Sequence, residues 1–248
     1  MDRGPVISYV HDNIYFIVFN RPEKLNALNL DSWRLLREHA SKACSGGYKA
    51  LVLTGRGRAF SAGDDILEMH ALSTPEESTR FFNSLRNALL ELVNCGKPLI
   101  AGVNGIAVGG GAEILFLMDY VIAVKGAWIS YPEAGIGLLP PILLSVGVNV
   151  VGGRVARRLA LTGDRLSVED AQRLGIIDEV VEADMLDKAI YNAVERLSTI
   201  PGELVKLFRI ETLGGIERAH SLIDRLSLLV LTGYAKKRME GFIKKRKG

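Results

Sequence analysis

Lys97-Pro98-Leu99-Ile100-Ala101-Gly102-Val103-Asn104-Gly105-Ile106-Ala107-Val108-Gly109-Gly110-Gly111-Ala112-Glu113 joins an apolar run to three consecutive glycines and then sets a carboxylate at the start of a helical pattern. Ordered glycine costs backbone entropy, so three in a row need a reason, and close approach of bare backbone N–H groups to a ligand is one. A helix start offers such groups to an anion. The competing reading is tight packing of the helix start against a sheet. The segment is not a dinucleotide fingerprint, because the G-x-G-x-x-G spacing is absent. A second carboxylate follows in Tyr131-Pro132-Glu133-Ala134-Gly135-Ile136-Gly137. Alone, Glu133 reads as a turn acid; in apolar surroundings a carboxylate needs a partner or a role. Two acids beside an anion-stabilising turn point to proton-transfer chemistry.

Working outward, strand, loop and helix recur. Val6 to Asn20 reads as two short strands around His11-Asp12-Asn13, with both faces largely buried. Asn29-Leu30-Asp31 precedes a helical pattern through Trp33, Leu35, Leu36 and Ala40, and a second helix is predicted from about Pro75 to Val93. Ala50 to Gly55, Pro98 to Asn104 and Tyr120 to Val124 read as strands, Gly111 to Met118 as a helix, and Ser167 caps a helix ending near Gly175. The pattern is α/β, with functional loops at strand ends. From Ala183 onward it is almost entirely helical, with breaks at Pro201-Gly202 and Gly214-Gly215, which places a core at 1–195 and a helical appendage at 196–248.

The 248 residues are 48% hydrophobic, enough for one sizeable domain. No apolar stretch runs long enough to span a bilayer, and Met1-Asp2-Arg3-Gly4-Pro5 carries no leader pattern. Cys44 and Cys95 lie far apart in sequence, outside any metal or redox spacing, so a reducing cytoplasmic compartment is the default. The four histidines show no ligand spacing, and no metal site is expected. Ser61 lacks the surroundings of a nucleophile elbow. A net charge of +3 demands no polyanion. The basic run from Lys236 to Lys247 reads first as a solvated helical face, next as a binder of a phosphate-bearing small molecule, and only third as a nucleic-acid surface.

Together these pieces resemble the enoyl-CoA hydratase and isomerase family, the crotonase superfamily. The matching residues are Arg21-Pro22 with Asn26-Ala27-Leu28, then Phe60-Ser61-Ala62-Gly63-Asp64-Asp65-Ile66, Lys97 to Asp119, and Pro132-Glu133 through Gly137 with Pro140. Leu161-Thr162-Gly163, Ala171 to Val180 and Glu240-Gly241-Phe242 continue the likeness over nearly the whole chain.

The resemblance implies a spiral of strand-strand-helix turns followed by C-terminal helices that build a homotrimer or a dimer of trimers. It implies an acyl-CoA thioester substrate, no cofactor beyond the coenzyme A of that substrate, and a place in fatty acid metabolism. The thioester oxygen would be held by the backbone N–H groups of Asp64 and Gly110, with Glu113 and Glu133 as the catalytic pair that adds water across a C2=C3 double bond. Asp64 stands where the family often has a small or apolar residue. Coenzyme A contacts are implied for Arg21, Lys24, Asn26, Ala27, Leu28, Ala62, Asp65 and Ile66, and for Phe242 and Lys245 reaching a neighbouring subunit. Leu138, Pro140 and Ile142 would wall the acyl pocket, and Pro141 to Gly147 is similar to the branch that includes methylglutaconyl-CoA hydratases. The alternatives are an isomerase on the same scaffold, or a hydratase-like RNA-binding or scaffolding subunit.

Overall fold

The computed structural model describes residues 4–247, and side chains as far as Lys245. The first strand, β1 (Val6–His11), turns through Asp12 and Asn13, both at positive φ, into β2 (Ile14–Phe19). Then come α1 (Leu30–Ser45), β3 (Leu51–Gly55), β4 (Ala59–Ser61), α2 (Ile66–Ala71) and α3 (Pro75–Val93). The central stretch forms β5 (Leu99–Val103), β6 (Ile106–Val108), α4 (Gly110–Glu113), β7 (Tyr120–Val124) and β8 (Trp128–Ser130). After α5 (Val148–Val151) and α6 (Gly153–Thr162) follow β9 (Leu166–Ser167), α7 (Val168–Arg173) and β10 (Glu179–Val181). The chain ends in α8 (Leu186–Leu197), α9 (Gly202–Leu213), α10 (Ile216–Leu229) and α11 (Gly233–Lys247).

After the β1–β2 hairpin, the successive pairs β3–β4, β5–β6 and β7–β8 each give one strand to each of two sheets. The larger sheet runs β1-β2-β3-β5-β7-β10, parallel except for the first pair; the smaller runs β4-β6-β8-β9, parallel except for the last. This is the mixed α/β spiral with C-terminal helices expected from the sequence. Parallel strands covered on both sides read as continuous apolar runs, and Leu51, Val52, Leu53, Leu99, Ile100 and Ala101 are all fully buried.

Local signals hold where they are strong. Asn29 caps α1 by accepting from Ser32 N–H at 2.9 Å, and Ser167 caps α7 by accepting from Asp170 N–H at 3.1 Å. Thr74 and Glu77 form a reciprocal capping box ahead of Pro75, so α3 starts at the proline the sequence marked. Replacing Thr74 by Ala should lower stability by about 1 kcal/mol, measured by urea denaturation; an unchanged midpoint would remove the cap from the account.

Four expectations need correction. β2 is buried throughout, but β1 is an edge strand whose Tyr9 and Val10 are about half exposed, because only one neighbour covers it. The helix expected over 111–118 is a single α-turn that tightens into a 3-10 turn at Ile114–Leu117, with every residue from 110 to 117 buried. The strands of the smaller sheet, two or three residues each, are too short for alternation to show and add a second sheet to the one the apolar runs predict. Finally, Cys44 and Cys95 form a disulfide across 51 residues, because α1 and α3 pack side by side and bring their last turns together. Separation in sequence therefore carried no information about pairing, and the argument from these cysteines to a reducing compartment loses its ground. No described helix is long and apolar enough to cross a membrane. The opening residues Met1 to Arg3 and the side chains of Arg246 and Lys247 lie outside the described part.

Candidate active site

The three segments marked in the sequence follow three adjacent strands of the smaller sheet. β4, β6 and β8 run parallel, in a register that sets Ser61 beside Ala107 and Val108 beside Ser130. Their C-terminal ends therefore deliver Ala62-Gly63-Asp64, Gly109 to Glu113 and Tyr131 to Glu133 to one place. Carboxyl ends of parallel strands are where α/β folds bind ligands.

Gly63 sets the spacing of the first two loops. Its φ is +77°, and an added Cβ would lie 2.6 Å from Val108 O and 3.0 Å from Gly110 N. Only glycine brings these backbones so close. The first loop is fixed by Leu28 N–H donating to Gly63 O at 2.8 Å, by Asp65 N–H donating to Leu28 O at 2.8 Å, and by Gly63 N–H donating to Ser61 Oγ at 3.1 Å. These bonds pass over Asp64 N–H. In the second loop Gly109 N–H donates to Ser130 O, and Ala112 and Glu113 N–H donate to Gly109 O, again passing over Gly110 N–H.

Glu113 is 4% exposed, and its Oε1 accepts two backbone hydrogen bonds, from Ile142 N–H at 2.6 Å and Leu143 N–H at 2.8 Å. Glu133 is held differently. Both its carboxyl oxygens are buried with no hydrogen-bond partner, as is the Tyr131 hydroxyl. Its Oε1 lies 3.2 Å from where a Cβ on Gly109 would be, so the bare turn gives the carboxyl room. On the other side of the turn Asp64 Oδ1 accepts from Trp33 Nε1–H at 2.8 Å, while Oδ2 lies 3.3 Å from a Cβ placed on Gly110.

Three acids thus share one apolar site, and burial raises each. Glu133 is pushed up to about 8, mainly by desolvation, with its own backbone N–H opposing the rise and Asp64 adding to it. Asp64 is pushed up to about 7 by desolvation, partly offset by the Trp33 N–H. Desolvation raises Glu113 well above the usual range, the Glu133 charge raises it further, and the two N–H donors oppose both. Burial, then Glu113 and Glu133, raise the Tyr131 hydroxyl. Raised carboxyl values in a cleft mark a site built for proton transfer. The acids are not grouped as a metal site among the described residues.

The implied acyl-pocket residues Leu138, Pro140 and Ile142 are buried, on the segment whose N–H groups hold Glu113. The implied coenzyme A residues separate into two kinds. Asn26 is 1% exposed and φ-positive; its amide donates to Arg56 O and Ala59 O, and its own N–H donates to Arg21 O. The N–H groups of Ala27 and Leu28 are likewise used within the protein. Arg21 donates to Ala27 O at 2.7 Å and pairs with Asp65 at 2.9 Å, and Asp65 also caps α2 through Leu67 N–H, just before Ile66. These residues frame the loop. Lys24 is exposed beside them, and Ala62 and Ile66 are half-buried. On α11, Phe242 is half-buried and Lys245 exposed; this helix packs on α2 and on the Glu133–Ile136 turn, over the rim of the site.

Sequence reading did not assign roles to Trp33, to Tyr131 or to the N–H groups of Ile142 and Leu143. Trp33 carried only the apolar period of α1, and backbone donors leave no sequence signal at all.

A two-sheet spiral that brings a pair of glutamates to a bare backbone turn is the frame of one class of enzymes. The enoyl-CoA hydratase/isomerase family model matches residues 10–214, and the chain belongs to that family. It is 30% identical over 251 residues to a crotonyl-CoA hydratase of Syntrophomonas wolfei, covering 98% of this chain and 96% of that one. It is 33% identical over 204 residues to the 1,2-epoxyphenylacetyl-CoA isomerase of Escherichia coli, covering 79% and 77%. An enoyl-CoA hydratase/isomerase structure from Mycobacterium paratuberculosis superposes with a TM-score of 0.86 at 26% identity, covering 96% of this chain and 98% of that one.

Proposed function

We propose that this enzyme hydrates 2-enoyl-CoA thioesters, using Glu113 and Glu133 as its acid-base pair. The observation that carries the reading is the asymmetry of the two glutamates: one is held by two backbone donors from another segment, the other has both carboxyl oxygens buried and unpartnered. The pair titrates as a unit. Two backbone N–H groups from another segment favour the charged form of Glu113, whereas only its own N–H opposes the rise of Glu133, and on that difference in donors we assign the proton of the singly ionised pair to Glu133.

Charge then moves in a consistent direction. Glu113 takes a proton from water as the water oxygen bonds to C3, and the π electrons pass toward the thioester oxygen. That oxygen accepts from the N–H groups of Asp64 and Gly110, an interaction strongest when its charge is fullest. The proton of Glu133 goes to C2. One proton arrives at the pair and one leaves, so the enzyme's count is unchanged. The product is a 3-hydroxyacyl thioester.

Coenzyme A enters past the exposed Lys24 and the rim formed by α11. Leu204, Leu207, Phe208 and Ile210 leave an exposed apolar face on α9, which fits the expected homotrimer or dimer of trimers. The reaction is tested with crotonyl-CoA, following loss of the conjugated enoyl absorbance and identifying the product. Formation of the 3-hydroxyacyl thioester supports hydration. Migration of the double bond without water uptake would assign the isomerase reaction, and no turnover of any enoyl-CoA would overturn the hydratase reading.

A further inference from the structure

Asp64 has a side chain that the reaction above leaves unused. Its Oδ1 is anchored by Trp33, a residue 1% exposed on α1, which fixes the carboxyl beside Gly110 instead of letting it swing out to solvent. Across the same pair of glycines lies the Glu133 carboxyl, and consecutive Cα atoms are only about 3.8 Å apart. The Asp64 charge acts on both Glu113 and Glu133.

The site therefore holds three carboxyls, and among the described residues no lysine, arginine or histidine offsets any of them. Arg21, on the loop beside Asp65, is committed to that aspartate and to the Ala27 carbonyl. Burial already opposes ionisation of all three acids. With Glu113 ionised, and Asp64 ionised above about 7, a further negative charge entering this apolar space would meet repulsion without a counter-ion.

We propose that Asp64 is a specificity-determining residue that admits uncharged acyl groups and turns away those whose chain carries a second carboxylate. The proposal rests on the acyl-thioester reading of the site and names its substrate class.

The test compares binding of two unreactive thioesters, valeryl-CoA and glutaryl-CoA, which differ in that a terminal methyl is replaced by a carboxylate. Titration calorimetry at pH 8, above the value of about 7 to which burial raises Asp64, gives the ratio of their dissociation constants for the wild type, Asp64→Asn and Asp64→Ala. Asn keeps an acceptor for Trp33, and Ala removes the side chain, so one variant remains informative if the other fails to fold. The wild type should bind glutaryl-CoA at least about thirtyfold more weakly, and either variant should narrow that ratio by about tenfold or more, as expected for removal of a like charge at close range. A wild-type ratio within about threefold, or a ratio that neither substitution moves, would overturn the proposal. Turnover does not enter the ratio: a wild type inactive on enoyl-CoA would remove the hydratase reading while these constants still decide the role of Asp64.

Discussion

Replacing Glu133 by Gln lowers kcat for crotonyl-CoA hydration by about 100 to 10,000 fold, with little change in KM. The amide fills the same space but has no proton to give to C2. In the wild type, kcat should fall as pH rises through about 8, where Glu133 loses its proton, and this alkaline decline should be absent from the residual activity of the variant. The same substitution acts on stability in the opposite direction. Burial raises Glu133 from 4.5 to about 8, so the folded chain holds that proton more tightly than the unfolded chain. The stability this contributes is complete below the unfolded value of 4.5 and is lost as pH rises to about 8. Gln suffers no such loss. The difference in Tm between Glu133→Gln and wild type should therefore widen from pH 4.5 to about 8 and then level. A variant that keeps wild-type kcat would show that Glu133 is not the acid, and a Tm difference that does not vary with pH would show that its proton affinity is not raised by folding.

Replacing Arg209 by Ala costs about 3–5 kcal/mol, the range for breaking one side of a buried ion pair, and should lower Tm by about 6–20 °C. Arg209 is 3% exposed on α9. Its Nε donates to Asp119 Oδ1 at 2.9 Å, and a second bond reaches Asp119 Oδ2. Its remaining donors take Leu92 O, Cys95 O and Lys97 O, carbonyls where α3 ends and β5 begins. Asp119 in turn accepts from Leu99 N–H at 2.7 Å. One guanidinium thus ties the C-terminal helices to the segment leading into the glycine-rich loop. The double variant Arg209→Met with Asp119→Leu should recover little, because the carbonyls remain buried without donors. Full recovery would assign the effect to the ion pair alone.

Legibility in the sequence followed the range of the forces involved. α3 was readable from Pro75 to Val93 because proline, a capping box and an apolar period all act within a few residues. The caps at Asn29 and Ser167 were readable for the same reason. β4, β6 and β8 were not, since three residues carry no alternation and their partners lie in other turns of the spiral. The edge position of β1 and the Cys44–Cys95 bond depend on which elements become neighbours. Within the site, the residue types were legible: Glu113, Glu133, the turn at Asp64 and the glycines before Glu113. The Trp33 anchor was hidden behind an ordinary helical period.

By itself the sequence determined the α/β alternation, the helical C-terminal part and the presence of two acids beside glycine-rich turns, because backbone preference and apolar period are local. Only the tertiary structure decided that Glu113 is held by N–H groups 29 and 30 residues further on, that both Glu133 carboxyl oxygens are buried without a hydrogen-bond partner, and that the Asp64 charge raises them both. A carboxyl's proton affinity is set by how much water it loses and by which charges and donors surround it. Those neighbours come from separate turns of the spiral, and folding alone brings them together.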